Sequence, residues 1–309
     1  MKRLLLLITL LLPIWTTAWA QETSPAEFQR RYSSLVARVG PGGLGVETLL
    51  DKWEAAYPGD VQQMLARFSF CLTRSRSVKV IQLDRDRYLG KEPILPLKDS
   101  TGKKCNFFED YDYDEDLYAA ANLYIDTAIQ AQPYRLDYRM AKIDAMLAFE
   151  KDMPEMTLVQ LKALADKNYK EKPVWEHESL ENVTQEQFKA LMQDYCVALF
   201  RLGSDASAQA FKDFSLHMLG YCKNDPLFLD NLGSYYLVKR DYKQALKYFD
   251  QVLKKHPGDM TALKNCLLLA RSKKDVKMEK KYLALMAKNG ATETDRQSAQ
   301  MRLNAFQGR

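Results

Sequence analysis

Histidine is scarce in this 309-residue chain: His177, His217 and His256 stand alone, far from one another. The five cysteines, at 71, 105, 196, 222 and 266, include no CxxC pair. A zinc site needs closely spaced Cys/His ligands, and none is present at such spacing. His177-Glu178 is followed by Ser179-Leu180, so the HExxH spacing of metallopeptidases is missing. No GxSxG elbow organises the scattered Ser, His and Asp residues. An excess of one charge is lacking as well. Lys+Arg number 45 against 40 Asp+Glu, a net charge of +5, whereas nucleic acid favours a concentrated basic face. Nothing in this inventory calls for a cofactor, and an enzyme would need a convergent titratable set that is not recognisable here.

Long apolar runs are confined to the N-terminus. Lys2 and Arg3 precede an apolar run from Leu4 to Leu12, broken by Thr9 and ended by Pro13. Ala18 and Ala20 supply the small-x-small pattern of a signal peptidase site, so export with cleavage after Ala20 is expected. The run is short for a membrane span. No cysteine sits at the cleavage site to take a lipid. Removing residues 1–20 takes away two basic residues and no acidic ones, which lowers the net charge to +3. Export permits disulfides, and Cys196 with Cys222 is the best-placed pair, toward one end of an antiparallel helix pair.

Two short patterns invite over-reading. Gly40-Pro41-Gly42-Gly43-Leu44-Gly45 matches GxGxxG, but an amphipathic helix (26–38) precedes it where a dinucleotide site needs a strand. It reads as a flexible linker. Asp110, Asp112, Asp114 and Asp116 alternate in FFEDYDYDEDLY. An EF-hand loop starting at Asp110 would need Gly at its sixth position and Glu at its twelfth, where Glu115 and Ala121 stand. The favoured reading is a helix start with Asp112 as N-cap and Glu115 at N3, and a weak cation site is the competing one. Asn182-Val183-Thr184 forms a glycosylation sequon that matters only in a eukaryotic secretory pathway; Thr184 with Gln187 also fits a capping box.

The strongest pattern is the 34-residue segment Pro226 to Asp259, PLFLDNLGSYYLVKRDYKQALKYFDQVLKKHPGD. Its helices are expected over 226–239 and 242–255, with Asp241 as N-cap of the second and Pro257 ending it. Gly233 and Ala245 are small where the two helices approach, and Leu232, Tyr236 and Phe249 fill the space beside them. The segment closely resembles a tetratricopeptide repeat (TPR). Leu229, Leu232, Gly233, Tyr236, Ala245, Phe249, Val252 and Pro257 take the signature positions, with Leu229 and Val252 standing where Trp and Ala are usual.

One such repeat cannot bury its own apolar faces, so neighbours are expected. One repeat length forward come Leu263, Cys266-Leu267 and Ala270, then Tyr282, Leu283 and Met286. One back come Tyr195, Ala198-Leu199 and Leu202, then Phe211 and Met218. Thr294 to Phe306 reads as a capping helix with Met301 and Ala305 on its apolar face. Fainter copies precede these: Ala121, Ile125, Ala128 and Pro133, then helices over 136–150 and 157–169, and Leu50, Trp53 and Pro58 before a helix over 61–73. Five or six helix pairs follow from this count.

Residues 77–113 interrupt the pattern. Val78 to Leu83 alternates like a strand, and Pro93–Lys98 with Lys103–Phe108 suggests a β-hairpin turning at Asp99–Gly102. The expected fold is therefore an all-α, TPR-type solenoid of antiparallel helix pairs with one inserted β-hairpin. Its domains are a signal peptide (1–20), an N-terminal helix and Gly-rich linker (21–45), degenerate TPR-like helices carrying the insertion (46–183), and a C-terminal TPR array with its capping helix (184–309). Over most of residues 45–290 the chain resembles exported bacterial TPR proteins of unassigned function.

The resemblance implies an interaction scaffold in which first helices line a concave face that holds a protein or peptide partner. Its groove positions are Asp230, Ser234 and Leu237 in the clearest repeat, and Lys264 and Leu268 in the next. TPR proteins that grip chaperone tails carry Lys and Asn at the first two positions; Asp230 and Ser234 replace them here. Two further functions compete: a carbohydrate- or peptidoglycan-associated accessory protein binding through the hairpin and the aromatic-acidic stretch, and an enzyme.

Overall fold

The computed structural model describes residues 24–180 and 182–306. The expected signal segment lies outside the described residues. These form thirteen α-helices and a two-stranded antiparallel sheet. In order they are α1 (Pro25–Val39), α2 (Val46–Ala56), α3 (Val61–Arg74), β1 (Arg76–Leu83), β2 (Asn106–Tyr113), α4 (Glu115–Ala131), α5 (Leu136–Glu150), α6 (Glu155–Glu171), α7 (Gln185–Leu202), α8 (Asp205–Tyr221), α9 (Pro226–Val238), α10 (Tyr242–Lys255), α11 (Met260–Ser272), α12 (Val276–Asn289) and α13 (Glu293–Ala305). The architecture is mostly helical and repeating: six consecutive helix pairs, α1/α2 to α11/α12, and a last helix. First helices of neighbouring pairs lie beside one another, α1 by α3, α7 by α9 and α9 by α11. No helix among the described residues is long and apolar enough to cross a membrane.

Local chemistry sets these boundaries. Ser24, Asp60, Asp114, Thr184, Ser204, Asp225, Asp241, Asp259, Asp275 and Thr292 each cap a helix, their side chains accepting a backbone N–H of the first turn. Thr184 and Gln187 make the expected capping box. The cap of α4 is Asp114, which accepts from Leu117 N at 2.9 Å, and not Asp112. Asp112 lies on β2 opposite Ser77, because the apolar alternation of NFFEDYDY pairs with β1 before the helix can begin. Gly40–Gly45 is a compact turn with Gly43 N bonded to Gly40 O at 3.1 Å, rather than a slack linker. It folds α1 back so that Phe28 stacks on Trp53 with centroids 5.9 Å apart.

Three buried clusters run along the chain: one from Phe28 to Ala145, one from Leu136 to Phe228 and one from Leu229 to Ala299. The link from α6 to α7 is pinned to the middle cluster by Trp175. Its ring stacks on Phe188, and its Nε1 donates to Asn168 Oδ1 at 2.9 Å. The last helix turns a different face inward than expected. Ala299 is buried and Leu303 and Phe306 pack partly, while Met301 is 66% exposed and Ala305 is exposed.

The cysteines are free. Cys196 Sγ contacts Ser215 Oγ on α8, and Cys222 Sγ contacts the Tyr169 hydroxyl, so the two thiols of the expected pair face different neighbours.

The insertion is larger than a simple hairpin. β1 and β2 pair from Arg76↔Tyr113 to Leu83↔Asn106. The segment around Leu95 then bonds the other edge of β2 through Phe107, and the expected turn forms at its tip, with Gly102 N bonded to Asp99 O at 3.0 Å. One sheet face buries Phe108, Asp110 and Asn106; the other leaves Val78 and Val80 exposed.

Candidate interaction groove

α9 explains why the expected groove positions separate. Phe228 to Gly233 is buried without a break, since α7, α8, α10 and α11 all touch this helix. Asp230 is therefore only 6% exposed and does not face an open groove. Asp259, the N-cap of α11, lies beside the Asp230 carboxyl, whose Oδ1 is buried without a partner. Burial, with Asp259 beside it, pushes the Asp230 carboxyl up to about 8. Next to it, Asn231 and Gln193 exchange reciprocal amide bonds of 2.8 and 2.9 Å between α9 and α7. Ser234 is half-buried, and Leu237 packs on the C-terminal core.

Lys264 and Leu268 are exposed on α11 and line one cavity of about 290 Å³ between α11, α12 and α13. Leu267, Leu283, Met286 and Ala299 give it an apolar floor, and Arg271 and Arg302 stand at its side. The two arginines are held by one carboxylate. Arg271 Nε donates to Glu279 Oε1 at 2.8 Å and Arg302 Nε to the same oxygen at 2.6 Å. The Glu279 side chain is 8% exposed, and despite its desolvation these two cations keep its carboxyl below the usual carboxylate range.

Of the signature residues, Leu229, Leu232, Gly233, Ala245, Phe249 and Val252 are buried, Tyr236 is half-buried, and Pro257 is exposed beyond α10. Gly233 lies against the Phe249 ring so closely that an added Cβ would sit 2.4 Å from it.

No family model matches the chain, and no curated protein matches it either. Among solved structures, one described as the functional characterization of Pseudomonas aeruginosa pilF aligns over 90% of this chain and 96% of its own, at 11% identity and a TM-score of 0.34. Likeness at that level does not bear on this chain, so the groove stands on its own geometry.

Arg271, Arg302 and Glu279 lie outside the groove positions expected from the repeat, yet a signal for them exists. Glu279 stands one repeat length after Ala245, at the small position of a second helix and within the apolar stripe of Tyr282, Leu283 and Met286. A carboxylate there is buried, and a buried carboxylate requires cations.

Two other places gather charges or aromatic rings. A cavity of about 480 Å³ between α4, α5 and α6 is lined by charges that largely neutralise one another: Lys142 bonds Asp126 at 2.6 Å and Lys170 bonds Asp166 at 2.8 Å. Asp166 also accepts from Tyr221 and contacts His217 Nε2, which ties α6 to α8. In the insertion, Tyr113 packs edge-on to Tyr118 and Phe149, and Phe108 is buried against Tyr88. These rings pack on one another, Phe108 fully buried and the others half-buried.

Proposed function

We propose that the chain is a non-enzymatic, tetratricopeptide-repeat interaction scaffold of the bacterial cell envelope that holds a protein segment on the face of α11, α12 and α13. The observation that carries this reading is the open cavity shared by Lys264 and Leu268, where an exposed leucine and three cations border an apolar floor. The spacing of signature residues in Pro226–Asp259 supports the repeat assignment, and the pattern of residues 1–20 supports export with a mature terminus at Gln21.

The test is a photo-crosslinking amino acid placed at position 268, with the protein expressed in its own envelope and cross-linked bands identified by mass spectrometry. A discrete protein partner, lost when Leu268 is kept but Lys264 is changed to Glu and capture is repeated by pull-down, supports the groove. A partner whose capture instead disappears on deleting residues 84–105 moves the site to the insertion and overturns this reading. Mass analysis of the mature protein tests export: a terminus other than Gln21 refutes the cleavage assignment.

A further inference from the structure

We infer that the cavity between α11 and α13 receives an internal acidic segment of a protein partner, an apolar side chain entering the cavity and a neighbouring Asp or Glu carboxylate meeting Arg271 and Arg302. This rests on the scaffold reading and specifies the chemistry of its partner.

The arginines are arranged for such a role. A guanidinium carries five N–H donors, and each of these two spends its Nε on Glu279. Among the described residues the η nitrogens of both have no acceptor, although the two side chains are about half exposed, at 46% and 48%. Glu279, on α12 behind them, fixes both planes from its buried position. Two guanidiniums pinned by one carboxylate keep a net positive charge and an ordered geometry, so a second carboxylate binds with little further loss of side-chain freedom.

The lining decides the sign and the class of ligand. It contains three cations, Lys264, Arg271 and Arg302, and no acidic side chain. Asp295, which feels the charge of Lys264, accepts from Thr292 Oγ1 at 2.7 Å. The floor is apolar, which a free inorganic anion would leave unused. Apolar surface continues to the cavity mouth, where Leu268 is 57% exposed. A small carboxylic acid can meet the arginines and floor without covering Leu268, whereas a peptide chain covers it as well.

The experiment is a selection of random peptides, displayed with both ends joined to a carrier so that no free carboxyl terminus exists, against the full mature chain. The expected result is enrichment of sequences that place Asp or Glu beside Leu, Ile, Met or Phe. An enriched peptide, synthesised with both ends blocked, is then titrated by fluorescence anisotropy. Changing Arg302 to Gln should weaken it about ten-fold or more, the range for losing a charge-assisted bond. Because this change also removes one cation from Glu279, Lys264→Glu serves as the companion variant: it leaves the Arg–Glu trio intact and should weaken binding too, with an unchanged circular dichroism spectrum. Enriched peptides without acidic residues, or acidic ones whose affinity neither variant changes, overturn the inference while leaving a scaffold. Enrichment of nothing overturns both.

Discussion

Replacing Asp230 with Asn should make the protein more stable, and increasingly so as pH rises. The carboxyl ordinarily titrates near 3.8, but in the folded chain burial and Asp259 push it up to about 8. Between these values the unfolded chain has released this proton while the folded chain keeps it, so folding takes up a proton and stability falls as pH rises. The loss begins near pH 4 and levels off above pH 8. It is the reverse of a salt-bridged carboxylate, whose contribution is lost on acidification. At pH 7 the gap is about three units at roughly 1.4 kcal/mol each, or about 4 kcal/mol. Asparagine keeps the shape, cannot ionise, and carries an amide N–H that can donate toward Asp259. We expect a gain of about 2–4 kcal/mol at pH 7, shrinking toward zero at pH 4. Urea unfolding followed by far-UV circular dichroism at several pH values and constant ionic strength measures it, and hydrogen exchange in α9 and α11 locates it. A gain independent of pH, or one that shrinks between pH 5 and pH 8, would refute the reasoning.

Gly233→Ala places a methyl 2.4 Å from the Phe249 ring inside the core, so we expect a loss of about 1–3 kcal/mol in the same urea titration, despite alanine's better helix propensity. Asp110 is buried on β2 and accepts from Lys151 Nζ at 2.9 Å and Tyr88 Oη at 3.2 Å. Asp110→Ala leaves Lys151 without that partner and should loosen the insertion by about 3–5 kcal/mol. Limited proteolysis should then cut faster within residues 84–105, while the helical signal at low denaturant stays close to that of the parent.

How far the sequence could be read depended on whether a local rule was left unopposed. Helix bounds followed where periodicity stood alone, as in α5, or agreed with a cap, as in α10; their limits match the expected 136–150 and 242–255. The helix–helix contact at Gly233 and Phe249 was legible because a small residue facing a large one at a fixed offset is what a close helix crossing demands. Asp230 misled because the outward position of an isolated repeat becomes an inward one when α11 is stacked on α9; burial there is set by a neighbour, not by its own helix. FFEDYDY misled through its acids, which suit a helix start equally well, whereas its pairing with β1 spans a loop whose closure no local pattern encodes. In α13 the apolar residues Met301 and Leu303 are too close in sequence to share one face, and choosing the face of Met301 and Ala305 was wrong: Leu303 is the one that packs. Glu279 was readable in principle from its repeat position, but its partners, from α11 and α13, were not.

The insertion leaves the second helix pair and reaches past its neighbour. Asp110 bonds Lys151 at the end of α5, in the third pair, and the Gly90 backbone lies so close to the end of α7, in the fourth, that an added Cβ would be 2.9 Å from the Arg201 carbonyl oxygen. Arrays in which each unit meets only its neighbours come apart one unit at a time, and fraying at one end is cheap. A contact that skips a unit changes those statistics: the second, third and fourth pairs must open together or first break the strap. The N-terminal half of this chain should then melt as one cooperative block, with a sharper transition than its divergent repeats would give alone, while the C-terminal pairs remain free to open one at a time.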